Sequence, residues 1–182
     1  MPNIPGDGRV FVATWLPAEA RQKLRHIDGL ADDLHMTVLY VTGGIDTPVK
    51  RRQVLDAIEE VCTRTPPIKC GLTEVGVMGN DVKTLVANVT VMGGSCFYAD
   101  LIETIEKKVG HHLERDYDFL PHVTLLEKTT EGTADIKDLR KYRWTADQIT
   151  VQFGGDGSRK FQYGLTGTMR RGARRVSNGR SC

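Results

Sequence analysis

The chain has 182 residues, of which 40% are hydrophobic and 26% charged, a balance that is ordinary for a globular protein and excludes disordered and fibrous classes. The net charge is only +2, and it is unevenly placed: residues 169–182 carry five arginines and no acidic residue, which leaves residues 1–168 at −3. A protein that binds long nucleic acid through its overall electrostatic field carries a large positive charge, which residues 1–168 do not. A small phosphate ligand held by local groups is compatible with this charge.

The sequence predicts no membrane segment and no export signal. No apolar run approaches the roughly 18 residues of a membrane span, and the first ten residues do not have the pattern of a signal peptide. The four cysteines, Cys62, Cys70, Cys96 and Cys182, show no C-x-x-C spacing. We therefore expect reduced thiols, a cytoplasmic location and no zinc site built from these cysteines.

The first half of the chain predicts alternating strands and helices. An alternating β-rich run predicts a strand at 9–15, and Pro17 suits the first position of a helix over 18–27. A second strand is predicted at 34–41, where a pair of glycines ends it. Apolar residues at helical spacing predict a helix at 50–64, which a Pro-Pro pair stops.

The second half predicts mainly antiparallel strands around one long helix. The predicted elements, in chain order, are strands at 68–78 and 82–92 joined by a Gly79-Asn80-Asp81 turn, a helix capped by Ser95, a strand at 119–127, a short helix within 129–141, and a hairpin of 148–153 and 160–165 across Gly154-Gly155-Asp156-Gly157. This order predicts an α+β fold. We expect one domain over residues 1–168 and a basic, disordered tail over 169–182.

The order of elements also contains an internal echo. A strand and a helix at 10–27 lead to the sequence HMTV, and a strand and a helix at 83–112 lead to HVTL. Because the helices occupy corresponding places, the pattern predicts two similar lobes related by a pseudo-twofold axis.

Two of the five histidines differ from the others in their surroundings. Only His35 and His122 are followed two positions later by a hydroxyl residue, Thr37 and Thr124 respectively, and both pairs lie in apolar strands. Residues i and i+2 of a strand point to the same face. If the lobes are related by a pseudo-twofold axis, the two His-Thr pairs converge in one cleft.

The four side chains suit displacement at phosphorus. Two imidazoles on opposite sides of a phosphate can act as base and acid, and two hydroxyls can donate hydrogen bonds to its non-bridging oxygens. This arrangement needs neither a metal ion nor an organic cofactor. One alternative is that both histidines are half-buried structural residues with their hydrogen bonds made inside the protein. The other is a zinc site, but the sequence offers no third ligand at a spacing typical of zinc sites.

The paired motifs HMTV and HVTL resemble the signature of the two-histidine (2H) phosphoesterase superfamily, which includes 2′-5′ RNA ligase-like proteins. The flanking segments RVFVATWLPAEARQKL, DLHMTVLYV and FLPHVTLL resemble the family as well, so that the similarity covers most of residues 9–166. The resemblance implies a bilobal fold, with two mainly antiparallel sheets around a central cleft and helices on the outside.

The resemblance also implies metal-independent phosphodiesterase activity with His35 and His122 as catalytic residues and Thr37 and Thr124 as phosphate-binding residues. Family members act on 2′,3′-cyclic phosphates, 2′-5′ linkages, RNA ends and cyclic oligonucleotide messengers, and some viral members degrade such messengers in the host cytoplasm to evade immunity. We expect a small nucleotide or cyclic oligonucleotide as substrate and a monomeric protein that does not bind membranes. The alternatives are a cyclic-nucleotide-binding module without turnover and an accessory protein that binds RNA ends.

Base binding would need an aromatic platform beside the phosphate. The candidates are Phe11 and Trp15 on the first strand and Tyr40 after the first motif, although Tyr40 points away from His35 if its strand is regular. No lysine or arginine is singled out by its position as a phosphate-binding group.

Overall fold

The structure, a computed structural model, describes residues 7–79, 83–115, 119–127, 139–154 and 160–167. Several predicted features lie outside these residues: most of the turn at 79–81, most of the turn at 154–157, the greater part of the short helix within 129–141, and the basic tail.

Within the described residues the chain forms the predicted strands and helices in the predicted order, with one additional strand, β6. The elements are β1 (Gly8–Trp15), α1 (Ala18–Leu24), β2 (His35–Ile45), α2 (Pro48–Arg64), β3 (Ile68–Met78), β4 (Thr84–Met92), α3 (Gly94–Val109), β5 (His122–Leu126), a 3-10 turn (Leu139–Lys141), β6 (Arg143–Ala146), β7 (Gln148–Phe153) and β8 (Lys160–Gly164). The α+β class is confirmed. None of the helices in the described part of the chain is long and apolar enough to cross a lipid bilayer.

The strands form one curled antiparallel sheet with the order β6-β3-β4-β5-β2-β1-β7-β8. The two predicted sheets are the halves of this sheet, joined where Met36 on β2 pairs with Val123 on β5. In each half the inner strand, β2 or β5, carries one His-Thr pair, and its neighbour, β1 or β4, is connected to it through a helix. This order has the pseudo-twofold character that the internal echo predicts, and it brings both motifs to the centre of the sheet.

The core lies between one face of the sheet and the long helices. The strands contribute alternating buried residues such as Val10 and Val12, and α3 contributes Leu101 and Ile105. Helices α2 and α3 pack against each other, and α2 also contacts β7 and β8. Because the apolar half of each strand faces this core, the polar half, including both His-Thr pairs, faces the other side.

Helix α3 begins earlier than expected. The predicted cap, Ser95, is wrong: the N-cap is Gly93, with a φ of +78°, and Gly94 is the first helical residue. A left-handed conformation is one that glycine adopts without the steric cost of a Cβ. The glycine pair therefore starts the helix, and Ser95 lies within its first turn.

Strand β2 is longer than expected, because the Gly43-Gly44 pair does not end it. The backbone N–H of Thr42 donates to the carbonyl of Glu114 at 2.9 Å, and Gly43 forms an isolated bridge with the same residue. The segment after α3 thus supplies hydrogen-bond partners that local sequence does not reveal. Strand β6 is a further difference, since the sequence pattern predicts no strand at Arg143–Ala146.

Candidate functional site

Strand β2 presents the first His-Thr pair on the face opposite the core. His35 and Thr37 are half-buried, whereas Met36 and Val38, which alternate with them, are only 2% and 4% exposed. Hydrophobic burial of the alternate residues fixes which way the strand faces. The motif histidine and threonine are therefore held towards the cleft by the packing of their neighbours.

Strand β5 presents the second pair in the same way. His122 and Thr124 are half-buried, and Val123 and Leu125 are fully buried. The alternation that the sequence predicts is therefore present in both motifs. It arises from the same cause in each, a row of apolar side chains that fills the core beneath the sheet.

The strand register brings the two pairs together. With Met36 opposite Val123 in an antiparallel pair, His35 is level with Thr124 and Thr37 is level with His122. Residues level with each other lie about 5 Å apart, and diagonal ones about 7–8 Å apart. The four side chains thus form a two-by-two patch in which the imidazoles occupy one diagonal and the hydroxyls the other.

Both imidazoles are oriented by the same kind of hydrogen bond. His35 Nδ1 lies 2.9 Å from the carbonyl oxygen of Asp33, and His122 Nδ1 lies 2.7 Å from that of Leu120, each two residues upstream. A carbonyl oxygen can only accept, so we assign the proton of each neutral ring to Nδ1. This leaves both Nε2 atoms able to exchange a proton with a bound ligand.

Aromatic rings surround His35. Its ring centroid lies 5.3 Å from that of Phe11, in an edge-to-face arrangement, and 5.5 Å from that of Trp15. The indole N–H of Trp15 donates to the Asp33 carboxylate, and Lys160 Nζ lies 5.1 Å from the centre of its ring. Phe11 and Trp15 therefore lie beside the patch, while their role as a base platform stays a prediction. Lys160 is a cation at the edge of the patch that sequence reasoning missed.

Tyr40 also faces the cleft, which corrects the expectation for a regular strand. Val12 of β1 pairs with Leu39, whereas Ala13 pairs with Thr37, so that β2 carries one extra residue. This bulge places both Val38 and Leu39 in the core and shifts the alternation by one residue. Tyr40 consequently shares the face of Thr37 and lies opposite Phe11.

A cavity of about 600 Å³ opens on the side of the patch that contains Thr37 and His122. Phe11 and Tyr40 form one part of its wall. The other part includes Tyr98 and Phe119, whose rings stack with centroids 4.9 Å apart. Sequence reasoning placed Tyr98 in the helix that begins near Ser95 and Phe119 at the start of the strand that carries the second motif. Only the tertiary structure brings the two rings to the cleft.

The outer neighbours of the two histidines differ. Trp15 pairs with His35 across β1 and β2, whereas Asn88 pairs with His122 across β4 and β5. The Asn88 side-chain amide donates to the Glu74 carboxylate at 3.3 Å. Sequence analysis missed Asn88, because an isolated asparagine in a strand carries no signal until the register with β5 is known.

A further cation, Arg9, lies on the same strand face as Phe11 and Trp15 at one end of the cleft. A hydrogen bond to the Asp7 carboxylate, followed in importance by one to Tyr40, raises the pKa of Arg9. The same Arg9–Asp7 contact lowers the pKa of Asp7. The Arg9 and Asp7 side chains are 42% and 48% exposed. The pairing with Asp7 makes Arg9 a partly neutralised group at the rim of the cleft.

The other three histidines have local partners elsewhere. His26 Nδ1 contacts the carbonyl of Lys23, and His112 Nδ1 lies 3.1 Å from the Glu106 carboxylate at the end of α3. His111 Nδ1 lies 3.3 Å from the carbonyl of Val109. Within the described residues, no three His, Cys, Asp or Glu side chains group closely enough to hold a metal ion.

Comparisons with known proteins agree with this fold. A profile described as the 2′-5′ RNA ligase superfamily matches residues 11–154. The fold is similar to that of TT0787 from Thermus thermophilus, with a TM-score of 0.65 and 19% identity over 87% of this chain and 98% of that one. It is also similar to apo LigT from E. coli, with a TM-score of 0.60 and 19% identity over 88% of this chain and 96% of that one.

A more distant likeness is to Usb1 from Kluyveromyces marxianus, with a TM-score of 0.58 and 9% identity over 88% of this chain and 99% of that one. LigT has also been crystallised with phosphate, 3′-AMP and ATP. A comparison with curated proteins gave no match. Because the profile spans most of the sequence and both motifs, the chain belongs to the 2′-5′ RNA ligase superfamily of two-histidine phosphoesterases.

Proposed function

We propose that the protein is a phosphodiesterase that cleaves a nucleotide phosphodiester with His35 and His122 as its acid–base pair. The observation that carries the proposal is the two-by-two patch, in which two imidazoles with the same Nδ1 hydrogen bond lie on one diagonal. A phosphate seated between them would have one Nε2 on the side of the attacking oxygen and the other on the side of the leaving oxygen.

The reaction follows from this placement. The neutral imidazole accepts a proton from a water or ribose hydroxyl as its oxygen forms the new bond to phosphorus. The bond from phosphorus to the leaving oxygen breaks, and the protonated imidazole donates its proton to that oxygen. The base imidazole has then gained one proton and the acid imidazole has lost one, and proton exchange with solvent restores the starting state of both. Which histidine is the base depends on the direction in which the substrate binds.

Thr37 and Thr124 are proposed to bind the non-bridging phosphate oxygens. Their hydroxyls lie on the other diagonal of the patch, level with the opposing histidines. Hydrogen bonds to these oxygens strengthen as negative charge accumulates on them in the transition state. No step needs a metal ion or an organic cofactor.

We propose a small nucleotide, either a cyclic oligonucleotide, a 2′,3′-cyclic phosphate or a 2′-5′ linked compound, as the substrate class. Phe11 and Tyr40 line the 600 Å³ cavity beside His122 and offer aromatic surface to a nucleobase, and Trp15 does so beside His35. The nucleotide complexes of LigT support ligands of this type. The cytoplasmic location and the monomeric state stay predictions.

The first test is turnover in excess EDTA. Purified protein is incubated with 2′,3′-cyclic mononucleotides, 2′-5′ adenylates, and cyclic di- and trinucleotides, and the loss of each is followed by mass-resolved chromatography. We expect cleavage of at least one compound. Recovery of every compound intact, with one of them bound, would favour the binding module over the enzyme.

The second test removes the histidines singly. His35→Ala and His122→Ala are each expected to reduce kcat by about 100-fold or more, the usual effect of losing a general acid or base. His26→Ala is the matched control, since His26 is an exposed histidine whose Nδ1 also contacts a backbone carbonyl, that of Lys23. Circular dichroism checks folding, and a folded single variant with wild-type turnover would falsify the mechanism.

A further inference from the structure

A second cavity, of about 370 Å³, lies across Trp15 from His35. We call it the polar pocket; its walls include Trp15, Arg21, Asp147, Thr150, Lys160 and Gln162. The larger cavity described above lies beside His122 and does not share these residues. The phosphate position between the two histidines is therefore flanked by two different cavities.

The polar pocket is on the same face of the sheet as the catalytic patch. Ala13 of β1 pairs with Thr37 on one side and with Thr150 of β7 on the other, and Thr150 pairs in turn with Gln162 of β8. Residues that pair across neighbouring strands share a face. At about 4.8 Å per strand, Gln162 lies roughly 14 Å from Thr37 along this row. Because the pocket begins at Trp15, whose ring centroid lies 5.5 Å from that of His35, a nucleotide joined to the scissile phosphate can enter it.

The charges of the polar pocket point to a phosphate-bearing group. Arg21 and Lys160 are exposed, and within the part of the chain that the structure describes neither forms an ion pair with a carboxylate. Asp147 is the acidic residue of the lining, and carboxamide and hydroxyl groups make up much of the rest. Two cations against one carboxylate give the lining itself an excess positive charge, which a nucleotide phosphate would neutralise. The Asp33 carboxylate, which accepts from the Trp15 indole N–H, lies outside the lining.

From these observations, and on the basis of the proposed function, we infer that the substrate has a nucleotide on each side of the scissile phosphorus. One nucleoside would occupy the aromatic cavity beside His122, and the second, with its own phosphate, would occupy the polar pocket beyond Trp15. A 2′,3′-cyclic mononucleotide has one nucleoside and one phosphate, so it would leave one cavity empty. The inference thus selects linear or cyclic oligonucleotides from the proposed substrate class.

The test compares two kinds of adenylate. One is adenosine 2′,3′-cyclic phosphate; the other is a set of 2′-5′ and 3′-5′ linked dinucleotides with a terminal phosphate, together with cyclic di-adenylate. We expect kcat/KM for the best dinucleotide to exceed that for the cyclic mononucleotide by about tenfold or more, as expected for an added charge-assisted hydrogen bond. Its KM should also rise with salt concentration, because the added contact is ionic.

Variants of the polar pocket assign the preference to its cations. Lys160→Ala and Arg21→Ala should each lower the ratio of the two kcat/KM values by about fivefold. Lys23→Ala is the matched control, because Lys23 is an exposed cation on α1, the helix that carries Arg21, and does not line the pocket. Equal or better cleavage of the cyclic mononucleotide, or a ratio that neither pocket variant changes, would overturn the inference. If cleavage of the cyclic mononucleotide still depends on both His35 and His122, the proposed function stays intact. If it needs neither histidine, the proposed function itself is overturned.

Discussion

The tautomer of each motif histidine is set by a backbone carbonyl and not by a carboxylate. Asp33 and Leu120 occupy the same position relative to His35 and His122, and in both cases the main-chain carbonyl makes the hydrogen bond. The Asp33 carboxylate lies 3.7 Å from His35 Nδ1, which is beyond hydrogen-bonding distance. A main-chain contact depends on strand geometry and not on the residue type at that position. The Asp33 side chain is thereby free to bind Trp15, while the exposed Leu120 side chain faces the cavity beside His122.

At the same scale, the threonines are expected to act through their hydroxyls. Thr37→Val keeps the β-branched shape but removes the donor, so kcat/KM should fall by about 10- to 100-fold, the effect of one hydrogen bond to a charged group. Thr37→Ser should retain most of the activity. Steady-state kinetics of both variants, with Thr90→Val on an exposed site of β4 as control, decide the matter. Equal losses in the Val and Ser variants would argue for a packing role instead.

The start of α3 gives a prediction at the scale of the element. A Cβ added to Gly94 would lie 2.2 Å from Cγ1 of Val91, a contact that requires a shift of the short, stiff valine side chain or of the backbone. A Cβ added to Gly93 would meet nothing within 4 Å, and only its left-handed conformation, at a φ of +78°, disfavours a side chain. The two neighbouring glycines are therefore required for different physical reasons.

We expect Gly93→Ala to lower the free energy of unfolding by about 1 kcal/mol, the typical cost of a left-handed alanine. Gly94→Ala should cost more, because overpacking typically adds about 1–3 kcal/mol. Urea denaturation followed by circular dichroism measures both. A Gly94→Ala variant as stable as the wild type would show that Val91 moves aside without cost.

Two cysteines on different elements give a second prediction at this scale. Cys62 on α2 and Cys70 on β3 both face the core, and burial raises the pKa of each thiol to about 12. At pH 8 only about one molecule in ten thousand then carries the reactive thiolate at either site. Iodoacetamide labelling mapped by mass spectrometry should modify the half-buried Cys96 before either of them.

The protection of these thiols should disappear when the chain is unfolded in urea. The raised pKa values also make the free energy of unfolding depend on pH. Because the folded state holds each thiol proton more tightly than the unfolded state, the stability from proton binding is fully present below the thiol pKa of the unfolded chain. It is lost as the pH rises from that value through the folded-state pKa of about 12. Rapid labelling of Cys62 or Cys70 in the folded protein at pH 8 would contradict their placement in the core.

At the scale of the whole molecule, the features predicted from sequence are those with a local physical cause. Period-two alternation was sufficient to place His35, Thr37, His122 and Thr124 on the cleft side of their strands, because the apolar residues between them must be buried. The bulge was not predictable, since Val38 and Leu39 are both aliphatic and give no sign of which is the extra residue. It determines the side on which Tyr40 lies.

The residues that sequence analysis missed depend on pairing between distant segments. Asn88 becomes a neighbour of His122 only through the register of β4 and β5, and Lys160 reaches Trp15 only through β7 and β8. The joining of the two predicted sheets into one also depends on long-range pairing, that of Met36 with Val123. Local patterns specify faces, and long-range pairing specifies which faces meet.

Because each half of the molecule supplies one histidine, the two halves should act as a single catalytic unit. If base and acid act in one step, either single variant removes the step, and a second substitution has little left to remove. The double variant His35→Ala/His122→Ala should therefore lose about as much activity as the worse single variant, roughly 100-fold or more, and not the product of the two losses. Single-turnover rates for the wild type, both single variants and the double variant measure this coupling. Losses that multiply would mean that each histidine lowers the barrier independently of the other, and the two halves of the patch would then not act as one coupled unit.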